Sequence, residues 1–160
     1  MQEFRKMRRE KQCMDVSETT QILQNATSGV LSVIGDEGYP YGVPMSFVYA
    51  DGRLIFHSAL NGHKIDAITK CNKCCFTVIA QDDVHGAQYS TYYKSVIAFG
   101  RVKIIDDTDM VRSLALQLGE KYNPGHINAA KAEIDGAIKR MKILVMEIEH
   151  VTGKKSMHLL

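Results

Sequence analysis

The feature that most constrains this chain is a pair of alternating segments either side of one tight turn. In residues 41–49, Val43, Met45, Phe47 and Tyr49 fall on one face, and Pro44, Ser46 and Val48 on the other. That two-residue period is the signature of a strand. Asp51-Gly52 is a hairpin turn pair, and residues 54–58 return as the next strand. Pro44 has no N–H to give a ladder, so its strand belongs at a sheet edge or carries a bulge. A hairpin this early commits the chain to antiparallel pairing.

The rest of the pattern agrees. Asp15 and Glu18 have capping-box spacing ahead of a short helix running toward Ala26. Residues 30–34 read as a strand closed by the turn Gly35-Asp36-Glu37-Gly38. Ile65, Ile68 and Cys71 recur every three residues, which predicts a helix over 63–71 with Asn61 as its N-cap. Strands follow at 75–80 and 96–105, with 81–88 a polar loop between them. Val111, Leu114, Leu118 and Tyr122 mark an amphipathic helix that ends at Asn123-Pro124-Gly125. A further helix covers 129–140, and 143–148 is the last strand. No G-x-G-x-x-G, P-loop or G-x-S-x-G is present. The class is mainly β with flanking helices: an antiparallel sheet or small barrel with helices packed outside.

At 160 residues, with 45% hydrophobic and 24% charged, the chain suits one domain with one core. Its organisation reads as a basic arm over 1–14, a single domain over 15–153 and a tail over 154–160. Five basic residues (Arg5, Lys6, Arg8, Arg9, Lys11) against Glu3 and Glu10 give the first twelve residues +3, so the remainder carries −1 of the overall +2. Such an arm can touch nucleic acid. With no aromatic interleaved beyond Phe4, it reads instead as a solvated segment, and no nucleic-acid partner is expected. No apolar stretch is long enough to span a bilayer, and no apolar leader follows Met1. The expectation is a cytoplasmic protein with no membrane partner, its cysteines reduced. Cys71-x-x-Cys74-Cys75 lacks the second pair a structural zinc needs. No metal site is expected, and these read as core or strand-entry cysteines open to oxidation.

The stretch richest in chemistry is Phe56-His57-Ser58-Ala59-Leu60-Asn61-Gly62-His63-Lys64, from a strand end to a helix start. Unpaired N–H groups at a helix N-terminus, with a nearby hydroxyl and a cation, can hold a phosphate. The same residues also read as a cap beside a solvated face. No Ser-His-Asp set or paired carboxylates stand out, so no catalytic residue is nominated.

These pieces, in order, resemble the flavin-binding split-barrel family related to pyridoxamine 5′-phosphate oxidase, and within it the nitroimidazole-resistance reductase branch. The resemblance spans about Met7 to Gly153. It is carried by Met7-Arg8-Arg9, by Gly29-Val-Leu-Ser-Val and by Pro40-Tyr-Gly-Val-Pro-Met-Ser-Phe-Val-Tyr-Ala-Asp-Gly52. Phe56-His57-Ser58-Ala59, Gly62-His63-Lys64-Ile65-Asp66, Tyr93-Lys-Ser-Val-Ile-Ala-Phe-Gly100-Arg-Val and Thr152-Gly153-Lys154 complete it.

The resemblance implies a six-stranded antiparallel split barrel that forms a homodimer with flavin in the groove between protomers. The flavin would be FMN, with FAD as the alternative. Val43, Pro44, Met45 and Ser46 would line its ring. Parity favours core packing for Met45 and Phe47, and the groove for Pro44 and Ser46. His57 and Ser58 would lie by the ribityl chain or phosphate. His63 and Lys64 would grip the phosphate, His63 standing where the oxidases carry a basic residue. Ser95 matches a position that reaches the flavin, and reads equally as an ordinary strand hydroxyl. The chain has no Trp and lacks the C-terminal aromatic and arginine segment of the oxidases, which sets pyridoxine phosphate oxidation aside. The implied activity is reduction of a small acceptor such as a nitroaromatic, with NADH or NADPH as transient donor. The competing reading is a non-catalytic flavin- or haem-binding protein.

Overall fold

The computed structural model describes residues 4–160, so the first three residues of the basic arm lie outside the described residues. In chain order the elements are α1 (Val16–Asn25), β1 (Ser28–Ile34), β2 (Pro40–Ser46), β3 (Val48–Ala50) and β4 (Arg53–Ala59). They continue with α2 (His63–Lys70), β5 (Lys73–His85), β6 (Ser90–Ile105), α3 (Thr108–Tyr122), α4 (Ile127–Ala137) and β7 (Met141–Lys155). The strands form one seven-stranded sheet in the order β2-β1-β5-β6-β7-β4-β3, and every pairing is antiparallel.

The structure is mainly β with flanking helices, but it is a seven-stranded sheet not closed by hydrogen bonds rather than a six-stranded barrel. The difference arises at Phe47. The single strand predicted over 41–49 breaks there into β2, which pairs with β1, and β3, which pairs with β4 at the opposite end of the sheet. Side chains of α3 take the place of a ladder at the break. The Phe47 N–H donates to the Tyr122 hydroxyl at 2.8 Å, and the Phe47 carbonyl accepts from Lys121 Nζ at 2.9 Å. Lys121 also donates to the Ala26 carbonyl and sits over the Phe47 ring, 4.4 Å from its centroid. Burial lowers the Lys121 pKa. Pro44 lies on β2, an edge strand, as its missing N–H requires.

Two apolar layers result. Phe47, Phe56 and Phe76 are fully buried and meet in the main core, Phe47 edge-on to Phe76 at 4.8 Å and Phe56 5.2 Å from it. Leu23 of α1 and Ile65 and Ile68 of α2 join that core. On the other side of the sheet, Ile55, Ile143 and Val145 pack under Val111, Leu114 and Leu118 of α3 and Ile134 of α4. Burying each such side chain contributes roughly 1.5–3 kcal/mol.

Several boundaries differ from expectation, β6 beginning at Ser90 rather than 96 and α4 covering Ile127–Ala137 rather than 129–140. The 81–88 loop is mostly strand: β5 runs to His85, with Asp82 opposite Tyr93 and Asp83 opposite Tyr92. This two-stranded ribbon carries no apolar stripe, because neither face is buried, so alternation could not reveal it. The last strand runs on through Thr152 and Lys154 to Lys155. At Gly153 a side chain would strike Thr19 and Met14, which is how α1 packs so closely there. Gly62, not Asn61, is the N-cap of α2, at φ 131° and with no side-chain cap.

Candidate functional site

The antiparallel register assembles one outer face across the sheet. Pro44 stands opposite Val30, Val30 opposite Thr77, Thr77 opposite Ile97, and Ile97 opposite Thr152. One step along the strands, Ile79 faces Ser95 and Ser95 faces Lys154. In the other direction Cys75 faces Phe99, and Phe99 faces His150. Side chains two apart on a strand share a face, so Pro44, Ser46 and Ser95 present to the same side. They are spread over three strand spacings, roughly 14 Å. The apolar members of this face are uncovered: Ile79 is 72%, Phe99 39% and Ile97 36% exposed.

Val43 and Met45 turn the other way. Met45 is buried in the main core and Val43 packs against it, so only their backbone lies along the free edge of β2. His57 and Ser58 point to opposite faces. His57 is exposed on the side of α3 and α4, opposite Ile143. Ser58 is buried, and its hydroxyl has no hydrogen-bond partner.

The start of α2 is open. With Gly62 at the cap, the N–H groups of Ile65 and Asp66 bond to the Gly62 carbonyl, and nothing within 4 Å would meet a side chain at Gly62. The first N–H groups of the helix are left for an outside acceptor. Lys64 makes no hydrogen bond or salt bridge among the described residues, and burial lowers its pKa. His63 is committed elsewhere. Its ring stacks on Tyr41 at 4.1 Å, and Nε2 accepts the Asp36 N–H at 3.3 Å. The same nitrogen lies 3.6 Å from the Asp36 carboxylate. Of the pair, His63 is thus engaged with Tyr41 and Asp36, while Lys64 has no such partner among the described residues.

Cys74 and Cys75 are quiet. Cys74 is buried and donates to the Gly100 carbonyl at 3.5 Å, and burial pushes its pKa up to about 12. Burial also raises Cys75. Both stay protonated at neutral pH, the unreactive form.

Residues 15–155 match the family model for pyridoxamine 5′-phosphate oxidase. The chain belongs to this family. Among solved structures, this oxidase-family chain is similar to a candidate 5-nitroimidazole antibiotic resistance protein from Bacteroides thetaiotaomicron. The two share 25% identity at a TM-score of 0.77, over 89% of this chain and 86% of that one. It shares its fold with a flavocytochrome from Azotobacter vinelandii, at TM-score 0.81 and 17% identity over 94% and 72% of the two chains. It also shares it with an FAD- and haem-binding protein from Mycobacterium smegmatis, at TM-score 0.79 and 19% identity over 91% and 74%. No curated protein matches the chain.

Sequence reasoning missed the roles of Lys121 and of the far end of β7. Tyr122 counted as apolar stripe, whereas its hydroxyl is what the structure uses. His150, Thr152 and Lys154 continue an alternation, but polar residues on a strand beyond a register shift leave no apolar signal. Among the described residues, no helix is long and apolar enough to cross a membrane.

Proposed function

We propose that this oxidase-family protein is an FMN-dependent reductase. It would act as a homodimer and pass electrons from NADH or NADPH to a small oxidised acceptor such as a nitroaromatic. The carrying observation is the open N-terminus of α2, with Lys64 half-buried and unpaired beside it. Free N–H groups and a cation without a counter-charge fit a phosphate monoester. FAD carries the equivalent phosphate and is the alternative cofactor. The similarity to the nitroimidazole-resistance candidate supports the acceptor class.

The outer face supports the dimer. Ile79 and Ile97 lie in the open on a sheet face continuous with Pro44 and Ser46, and a second copy would bury them and enclose the groove. A bound flavin supplies the hydride and electron chemistry, and the protein supplies binding, orientation and exclusion of water. In that division of labour Lys64 and the α2 N–H groups hold the phosphate, with the buried Ser58 hydroxyl as a donor lacking a partner nearby in sequence. His63 braces the turn at Asp36, while Pro44, Ser46 and Ser95 face the groove. The backbone along the edge of β2 beside Val43 and Met45 offers the polar contacts to a ring.

The purified protein is expected to be yellow, to gain thermal stability with FMN, and to be reoxidised by a nitroimidazole after anaerobic reduction with NADH or NADPH. A colourless protein whose melting temperature ignores both FMN and FAD would sink the reading. A second reading, carriage of flavin or haem without catalysis, draws on the fold shared with two haem-containing neighbours. A Soret band, or flavin that no nicotinamide reduces, would favour it.

A further inference from the structure

Arg5, Ser95, Phe99, His150, Thr152 and Lys154 line a cavity of about 200 Å³ between the N-terminal segment and the outer face of β6 and β7. No carboxylate lines it. The contrast with adjacent lysines is sharp: Lys94 and Lys155 both end on Glu18, each at 2.9 Å. Lys154 and Arg5 form no salt bridge among the described residues. Two cations at a concave, part-apolar surface concentrate a positive field there, which draws an anion. Ser95 and Thr152 add hydroxyls able to donate to the same anion. Two of the lining residues, Phe99 and His150, form an aromatic wall; Phe4, outside the lining, stacks on His150 at 4.7 Å and 6° from parallel and lies 5.7 Å from Phe99. That wall favours a flat ring. The volume falls below the roughly 300–1,000 Å³ usual for drug-sized ligands, so the occupant is small.

We propose that this cavity binds a small aromatic carboxylate, its charge between Arg5 and Lys154 and its ring against Phe99 and His150. As an assignment of the acceptor's class this rests on the reductase reading. As a binding site it does not.

The test is a calorimetric titration of the full-length oxidised protein, as purified, with 4-nitrobenzoate, the uncharged 4-nitrobenzyl alcohol and inorganic phosphate. Flavin content is read by absorbance in the same samples. We expect 4-nitrobenzoate to bind at least about tenfold more tightly than either of the others. Lys154→Met should weaken it by about ten- to a hundredfold, the usual loss for a charged hydrogen bond, and Lys154→Arg should retain it. Arg5→Met, at an exposed side chain, should act in the same direction. Equal affinity for the alcohol, tighter binding of phosphate, or indifference to both Met variants would overturn the proposal. Charge-dependent binding in a flavin-free protein whose melting temperature also ignores FMN and FAD would uphold the cavity while removing the reductase reading.

Discussion

The Phe47 N–H donates to the Tyr122 hydroxyl at 2.8 Å across 75 residues of chain. At that point the strand leaves one end of the sheet for the other, and a phenol replaces the ladder partner it has lost. The same hydroxyl reaches the Thr27 carbonyl, so α3 ties together the α1–β1 junction and the β2–β3 break. Tyr122→Phe keeps the ring and removes these bonds. It should cost about 1–3 kcal/mol, the range for leaving a buried donor unpaired. Urea denaturation should show a lower midpoint at unchanged slope; an unmoved midpoint would mean that water replaces the hydroxyl.

Glu18 accepts from Lys94 and Lys155, and those bonds hold its pKa below the ordinary glutamate value of 4.5. A carboxyl whose folded pKa is depressed contributes stability that is complete above its unfolded pKa and fades as pH falls through the folded one. Stability should therefore drop below about pH 4.5 in the wild type. Glu18→Gln should flatten that part of the curve and cost only about 0.5–1 kcal/mol at pH 7, since the pairs are partly solvated. Thermal melts from pH 3 to 7 would show it, and identical pH profiles for the two proteins would contradict the assignment.

Gly100 lies at the register shift between β6 and β7, where a side chain would overlap the Glu147 carbonyl. Backbone cannot give as a flexible side chain does. Gly100→Ala should destabilise by about 1–3 kcal/mol or more, while Gly86→Ala, with open space around it, should change little. Comparable melting temperatures for the two variants would argue against a close approach at Gly100.

Lys64→Ala should weaken FMN binding by about 1.5–3 kcal/mol, or ten- to a hundredfold, without lowering the melting temperature of the flavin-free protein. His63→Ala should do the reverse, because it removes the stack on Tyr41 and the acceptor for the Asp36 N–H. Fluorescence titration with FMN, beside apoprotein melts, separates the two. An unchanged dissociation constant in Lys64→Ala would remove that residue from the phosphate site.

Which way residues 43–47 face was legible locally. The parity of residues 41–49 already separated Pro44 and Ser46 from Met45 and Phe47, because period two is a property of the backbone and needs no partner. Pro44 announced an edge for the same kind of reason: a missing N–H is a covalent fact. The ribbon through Asp82 and Asp83, the extension of β7 to Lys155 and the Gly62 cap were not legible. Each depends on a pairing or a backbone angle that polar residues do not advertise.

By itself the sequence determined the antiparallel hairpins, the amphipathic stripes of α2 and α3, and the order of motifs that marks the family. These follow from local periodicity and turn chemistry. Only the tertiary structure decided that the strand breaks at Phe47 and that His63 is spent on a turn while Lys64 is not. It also set Ser95, Thr152 and Lys154 beside Arg5. Those outcomes rest on register between strands distant in sequence, and register is fixed by which faces are buried together.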